Sequence, residues 1–224
     1  MLAILVRAAL LGGLVFGGHA VNAAEQTIEK TEPKKIEVKQ ADTQKAKPGT
    51  AHAAVTQVTE DMMAIIRRST QLMADDPQAY YTQVSDLLEP VVAFSYIAKS
   101  VMAQHYKTAT KAQREAFAKT FQSTMVETFA KGLANYSDFK ITTVPPTGDV
   151  SGQRKVQVTQ EVAGKDGTNT VAYTMGQSKT GDWLLINVVL NGINLGSNFQ
   201  QQFAQAMRQH KNDIDAVIAT WGES

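Results

Sequence analysis

The chain has 224 residues, 43% of them hydrophobic, which is the length of one ordinary domain with an extension and enough apolar content for a real core. Basic and acidic residues nearly balance, 22 against 21, so the charge argues against nucleic acid as a partner. The absence of cysteine excludes disulfides, thiolate zinc sites and cysteine nucleophiles together.

Residues 1–23 read as a secretory signal peptide. Arg7 supplies positive charge, Ala8 to Phe16 an apolar centre, and Val21–Ala24 a small-residue cleavage site after Ala23. "LAIL" ahead of the arginine is atypical, and an uncleaved anchor is the alternative, although the apolar run falls short of the ~20 residues a spanning helix needs. No later stretch is apolar enough to span a bilayer. The expectation is therefore an exported protein, and export without cysteine suits a bacterial periplasm. Residues 24–50 carry six basic and five acidic residues, Pro33, Pro48 and no aromatic, a composition too polar to offset its ordering entropy; it reads as a charged, disordered tether. The folded domain is expected over 51–224.

From Ala51, Val55, Val58, Met62, Ile65, Ile66, Leu72 and Met73 recur at spacings of three and four and predict one amphipathic helix, ended by "DDP" at Asp75–Pro77. A short helix over Gln78–Leu88 stops near Pro90, and another, roughly Val92 to His105, presents Phe94, Ile97, Val101 and Met102. Thr110 and Gln113 form a capping box that opens a helix running to about Asn135, roughly 37 Å long at 1.5 Å per residue. Its apolar residues Phe117, Phe121, Met125, Val126, Phe129, Ala130 and Leu133 spread over about 220°, where a surface helix needs a stripe of only about 100°. Such a helix is expected to be buried on two sides.

The period then changes from 3.6 to 2. Asp138–Pro146 is strand-like. Lys155–Gly164 alternates, with Val156, Val158 and Val162 on one face. Lys165–Thr168 is a hairpin turn, and Thr170–Gln177 follows with Val171, Tyr173 and Met175 on one face. After the turn at Ser178–Asp182 comes "WLLINVVLNGINL", Trp183 to Leu195, whose two faces are both apolar: Leu184, Ile186, Val188 and Leu190 on one, Trp183, Leu185 and Val189 beside Asn187 on the other. Antiparallel sheets usually keep one face wet, so something must cover the second face. Ser197 and Gln200 read as a second capping box ahead of Phe199 and Phe203, and Ile214–Trp221 closes the chain as a helix. The layout is α+β, with helices packed on a twisted four-stranded antiparallel meander.

Catalytic signatures are scarce. There is no G-x-S-x-G elbow, G-x-G-x-x-G, P-loop or H-E-x-x-H. His52, His105 and His210 are scattered over helix ends without zinc spacing, and Asp149, Asp166 and Asp182 stand beside glycines as turn residues. A carboxylate pair assembled only by the fold stays open. What the chain holds in excess is apolar surface, and it predicts a pocket from Phe117, Phe121, Met125, Phe129, Val156, Val158, Tyr173, Met175, Ile186, Val188 and Leu195. The alternative is a plain packed core. Lys99, Lys107, Lys111 and Arg114 gather at the start of the long helix, as a rim for phosphate or an acidic partner, or as a solvated face.

The stretch from Phe94 to Asp138 resembles the MlaC family, also called the toluene-tolerance auxiliary family. Thr110, Gln113, Arg114 and Phe117 fill its T-x-x-Q-R-x-x-F element, and Leu133–Asp138 matches the end of its long helix. Gly181–Met207 is similar to its final strand and helix, with Trp183, Gly192, Ile193, Leu195, Phe199 and Phe203 in place; Asn187, Asn191 and Asn194 depart from the acidic, acidic and serine residues usual there. The resemblance spans Val58 to Trp221. It implies an NTF2-like α+β fold enclosing an apolar cavity, and a monomeric periplasmic phospholipid carrier that is not an enzyme and needs no cofactor, the lipid being cargo. It further implies shuttling between an outer-membrane lipoprotein–porin complex and an inner-membrane ABC transporter with an MCE-domain protein, which maintains outer-membrane lipid asymmetry. The competing readings are a periplasmic scaffold module with a packed core and an NTF2-like enzyme on a hydrophobic substrate.

Overall fold

The computed structural model describes residues 49–134, 139–165 and 167–222. The signal peptide at 1–23, the tether up to residue 48 and Asp166 of the hairpin turn lie outside the described residues. Gly49 and Thr50, at the end of the tether stretch, are tied to the fold. The Thr50 hydroxyl caps α1 (Ala51–Ile66) by accepting from the Ala53 amide at 3.1 Å, and the Gly49 carbonyl accepts from Trp183 Nε1 at 2.8 Å.

The single helix expected up to Asp75 is two. Arg67 and Arg68 break it after Ile66: the Arg68 amide donates to the Ile65 carbonyl and the residue leaves helical geometry at φ −104°, after which α2 (Ser69–Asp75) packs on the long helix Lys111–Ala134. No proline or glycine marks the break. Asp76 then caps α3 (Pro77–Leu88), its carboxylate accepting from the Ala79 amide at 3.0 Å with Pro77 in the first turn. The helix expected from Val92 to His105 is shorter. It becomes α4 (Phe94–Met102), ended by Ala103 at φ +48°, and the one-turn α5 (His105–Thr108). Val91–Ala93 instead run alongside the last long strand: the Leu185 amide donates to the Val91 carbonyl at 2.8 Å and the Ala93 amide to the Leu185 carbonyl at 3.0 Å.

The long helix α6 (Lys111–Ala134) opens with the expected capping box. The Gln113 amide donates to Thr110 Oγ1 at 3.2 Å and the Thr110 amide to Gln113 Oε1 at 2.9 Å. Its broad apolar arc is explained by its neighbours α2, α3, α4 and α8, between which it runs.

The sheet is a five-stranded antiparallel meander in the order β1 (Lys140–Thr143), β2 (Lys155–Gly164), β3 (Gly167–Gln177), β4 (Trp183–Leu190) and β5 (Ile193–Asn194). The strand beyond the expected four is β5. Asn191 and Gly192, at φ +47° and +82°, turn the chain back so that Ile193 pairs with Leu190 and Asn194 with Val189. Two residues are too few to show a period. Asn194 also caps α7 (Leu195–Gln209), its side chain accepting from the Ser197 amide at 3.1 Å, so the capping role expected of Ser197 falls three residues earlier. The last helix, α8 (Ile214–Thr220), is capped by Asp213.

The core falls into three clusters. The largest is helical and centres on an aromatic nest in which Phe117 lies 4.8 Å from Phe203 and 5.2 Å from Trp221, and Phe121 lies 5.5 Å from Phe199, ring centre to ring centre. Two smaller clusters belong to the sheet. One joins Ala51 and Val55 of α1 to Val156, Val158 and Met175; the other joins Val162, Val171 and Leu190. The helical cluster does not merge with the sheet clusters because a cavity lies between them.

Candidate functional site

That cavity has a volume of about 300 Å³ and touches all three clusters. α1 contributes Val55, Val58, Met62, Met63 and Ile66; α6 contributes Phe121, Met125, Val126 and Phe129; α7 contributes Leu195, Gly196 and Phe199. The sheet supplies Ile141, Val162, Val171, Tyr173, Met175, Leu185, Val188 and Leu190, and Val91 and Val92 close one side. Among the described residues no charged one stands on these walls.

The two apolar faces of β4 follow from a β-bulge. Leu185 pairs with Met175 and Asn187 with Thr174, which leaves Ile186 without a partner. A bulge inverts the alternation of the strand. Before it Trp183 and Leu185 face the cavity; after it Val188 and Leu190 do. Ile186 lies on the opposite face, where it covers Gly176: a Cβ on that glycine would come within 3.3 Å of the Ile186 side chain. The inner half of the strand's apolar surface is thus covered by α1, α6, α7 and the cavity. Leu184, Ile186 and Val189 on the other face stay half-buried.

Of the residues expected in the pocket, Phe121, Met125, Phe129, Tyr173, Met175, Val188 and Leu195 are brought together around the cavity. Four lie elsewhere. Phe117 is fully buried in the aromatic nest between Phe203 and Trp221. Val156 and Val158 pack under the first turns of α1, where Ala51 and Val55 cover them. Ile186 is turned outward by the bulge. The walls also contain residues beyond those expected in the pocket, above all the α1 stripe, and Trp183 and Leu185 from the second face of the strand. The stripe was legible as an amphipathic face, but nothing in a periodicity distinguishes a wall from a packed interior. Strict alternation separates Leu185 from Val188, yet both face the cavity, because the bulge between them has no sequence signature.

The polar groups on the walls are few and neutral. Gln160, buried on the inner face of β2, donates from Nε2 to Thr59 Oγ1 at 2.9 Å and Thr143 Oγ1 at 3.1 Å, and Thr143 lies 3.2 Å from Thr56 Oγ1. This node ties α1 to the β1–β2 edge of the sheet. Burial pushes the Tyr173 phenol up to about 12, so it is uncharged at neutral pH. Asn187 stands against the first turn of α7; a Cβ on Gly196 would come within 2.6 Å of Asn187 Oδ1, which explains a glycine there.

The expected basic rim is not at the cavity: Lys99, Lys107, Lys111 and Arg114 are absent from its walls. Arg114 is occupied structurally. Its Nε donates to the Tyr106 carbonyl at 2.8 Å, its Nη2 to the Lys107 carbonyl at 3.3 Å, and its guanidinium lies 4.4 Å from the Tyr106 ring centre. It caps the carbonyls around α5 and stacks on the tyrosine. Lys99 lies 5.3 Å from the same ring, and Lys111 pairs with Glu115 at 3.7 Å on the exposed face of α6.

The chain is similar to known proteins. The family model described as "MlaC protein" matches residues 56–223. The toluene tolerance protein ttg2D of Pseudomonas putida is 32% identical over 174 residues, which cover 77% of this chain and 80% of that one. The intermembrane phospholipid transport system binding protein MlaC of Haemophilus influenzae is 22% identical over 177 residues, 77% of this chain and 81% of its own. Among solved structures, the phospholipid-binding protein from Ralstonia solanacearum in complex with a phospholipid superposes with a TM-score of 0.69 at 20% identity, over 77% of this chain and 95% of that one. At that identity the likeness is one of fold.

Proposed function

This chain belongs to the MlaC family, and from that premise we propose that it is a periplasmic phospholipid carrier. Its acyl chains occupy the cavity between sheet and helices, and its headgroup stays outside. The observation that carries this reading is the continuous apolar cavity with uncharged walls, set where a packed core would otherwise close. Each methylene taken from water contributes about 0.8 kcal/mol, so a chain of ~16 carbons gains roughly 12 kcal/mol by entering such a space. A lipid crossing an aqueous compartment needs that shelter, and it needs no cofactor. Methionines at four wall positions, Met62, Met63, Met125 and Met175, suit a space that adapts to chains of different shape.

In this reading residues 1–23 direct export, residues 24–50 form a charged linker and 51–224 the lipid-binding domain. The carrier moves lipid between an outer-membrane lipoprotein–porin complex and an inner-membrane ABC transporter bearing an MCE-domain protein, and it acts as a monomer. Among the described residues no helix is long and apolar enough to cross a membrane. A scaffold with a packed core fits the cavity poorly. An enzyme would need acid–base or nucleophilic groups converging on the cavity, and among the described residues its walls carry no carboxylate, histidine or lysine.

Native mass spectrometry of the mature protein, followed by organic extraction and lipid mass analysis, tests the carrier reading. Stoichiometric phospholipid released on unfolding is the expected result. A protein that stays empty after incubation with phospholipid vesicles would overturn it.

A further inference from the structure

The cavity continues into a cleft between α1 and β1. Thr59, Met63 and Ile141 line both spaces, and the cleft adds two charged residues, Glu60 and Arg67. Glu60 lies in the last two turns of α1 and Arg67 is the residue that ends it, seven positions on, so the two stand about two turns apart along one side, about 10 Å by rise. Four charged residues lie between positions 60 and 68, and two are already engaged. Asp61 accepts from Gln57 Nε2 at 3.0 Å, and Arg68 donates to the Ala64 carbonyl at 3.3 Å and Gln83 Oε1 at 3.4 Å. The side chains of Glu60 and Arg67 form no ion pair or hydrogen bond among the described residues, with each other or with a third group. They are also the two that face the cleft. Since the walls of the cavity hold no charge among the described residues, a polar head attached to buried chains must remain outside, and at this cleft the walls meet charge.

We propose that the cleft is a headgroup subsite for a zwitterionic phosphate–ammonium lipid, with Arg67 taking the phosphate and Glu60 the ammonium. This rests on the carrier reading. The guanidinium fork matches phosphate oxygens in pairs. Glu60 sets the selectivity: it attracts a terminal ammonium and repels a headgroup whose net charge is negative, so one carboxylate both rewards the first class and disfavours the second. Two opposite, unpaired charges held apart on one helix face suit a ligand that carries the complementary pair on one short arm. Thr59, between them and the cavity, marks the depth at which chain gives way to head.

The test is exchange of the mature chain against vesicles of equal parts phosphatidylethanolamine and phosphatidylglycerol, with the extracted lipids quantified by mass. Wild type is expected to load the zwitterionic lipid in three- to fivefold excess, the scale of one solvent-exposed ion pair. Glu60→Gln is expected to bring the ratio near one, and Glu60→Lys to invert it, each with total lipid per protein unchanged because the chains are held elsewhere. Arg67→Gln is expected to release both lipids to acceptor vesicles about threefold faster while the ratio persists. Both positions, Glu60 and Arg67, are exposed, so the fold is not at stake. A ratio indifferent to both Glu60 variants, or release indifferent to Arg67→Gln, overturns the subsite while normal total loading leaves the carrier intact. A wild type that loads neither lipid overturns both.

Discussion

Emptying the cavity should cost this protein much of its stability. Voids left in protein interiors forgo stabilisation at about 24 cal/mol per Å³. A cavity of about 300 Å³ therefore corresponds to about 7 kcal/mol, comparable to the whole stability of an ordinary domain. Helices that relax inward reduce that figure, and bound chains recover it by refilling the contacts. For a domain of this size each kcal/mol moves the melting temperature by about 2–4 °C, so the lipid-free form should melt roughly 15–25 °C below the loaded form. The assay is scanning calorimetry of protein purified under native conditions beside the same protein unfolded, extracted and refolded, with lipid content measured on each sample. Val188→Phe, which places a ring in the cavity, should raise the lipid-free melting point by the equivalent of about 0.5–2 kcal/mol and lower the lipid load. Coincident melting of samples with different lipid contents would refute the reasoning, because it would mean that the interior closes without cargo.

Met125→Glu sets an unpaired carboxylate on an apolar wall and should abolish co-purified lipid while far-UV circular dichroism keeps its helical signature; normal lipid content in the folded variant would remove Met125 from the site. Tyr80→Phe removes the 3.0 Å bond from the phenol to the Ala130 carbonyl and should cost about 1–3 kcal/mol in urea unfolding. Burial, with the neighbouring Tyr81, pushes Tyr80 up to about 12, as burial does Tyr173. A folded value above the ordinary 10.0 gives stability that is full below pH 10 and lost as pH rises towards 12, and Tyr80→Phe should shallow that loss. His52 is buried and its pKa is lowered from 6.5 by desolvation, so the stability it contributes is full above pH 6.5 and falls as the pH drops below that value; His52→Gln should flatten this part of the stability–pH curve, measured as the urea midpoint from pH 7 downwards.

The sequence by itself determined what depends on neighbours along the chain. The capping box at Thr110 and Gln113, the amphipathic stripe of α1, the alternation of β2 and β3 and the two-sided burial of α6 all follow from local hydrogen bonding and from periods of 3.6 and 2. So did the chemistry of the interior, since an apolar excess without catalytic spacing is a property of composition. Tertiary structure decided how that excess is shared between core and cavity. Phe117 and Phe121 lie one helical turn apart on the same helix, yet one sits only in the aromatic nest and the other also reaches the cavity wall, because Phe203 and Trp221 from α7 and beyond α8 close around the first. The bulge at Ile186 chose which half of β4 looks inward, and it arises from pairing with β3, which no residue of β4 encodes alone. The charges at the mouth were decided in the same way. Lys99, Lys107, Lys111 and Arg114 form the conspicuous basic group in the chain, but α4, α5 and the start of α6 hold them away from the cavity, whereas Glu60 and Arg67 line the cleft that adjoins it. A hydrophobic pattern records that a side chain avoids water. Whether it meets another side chain or an open space depends on elements that the chain brings together from a distance.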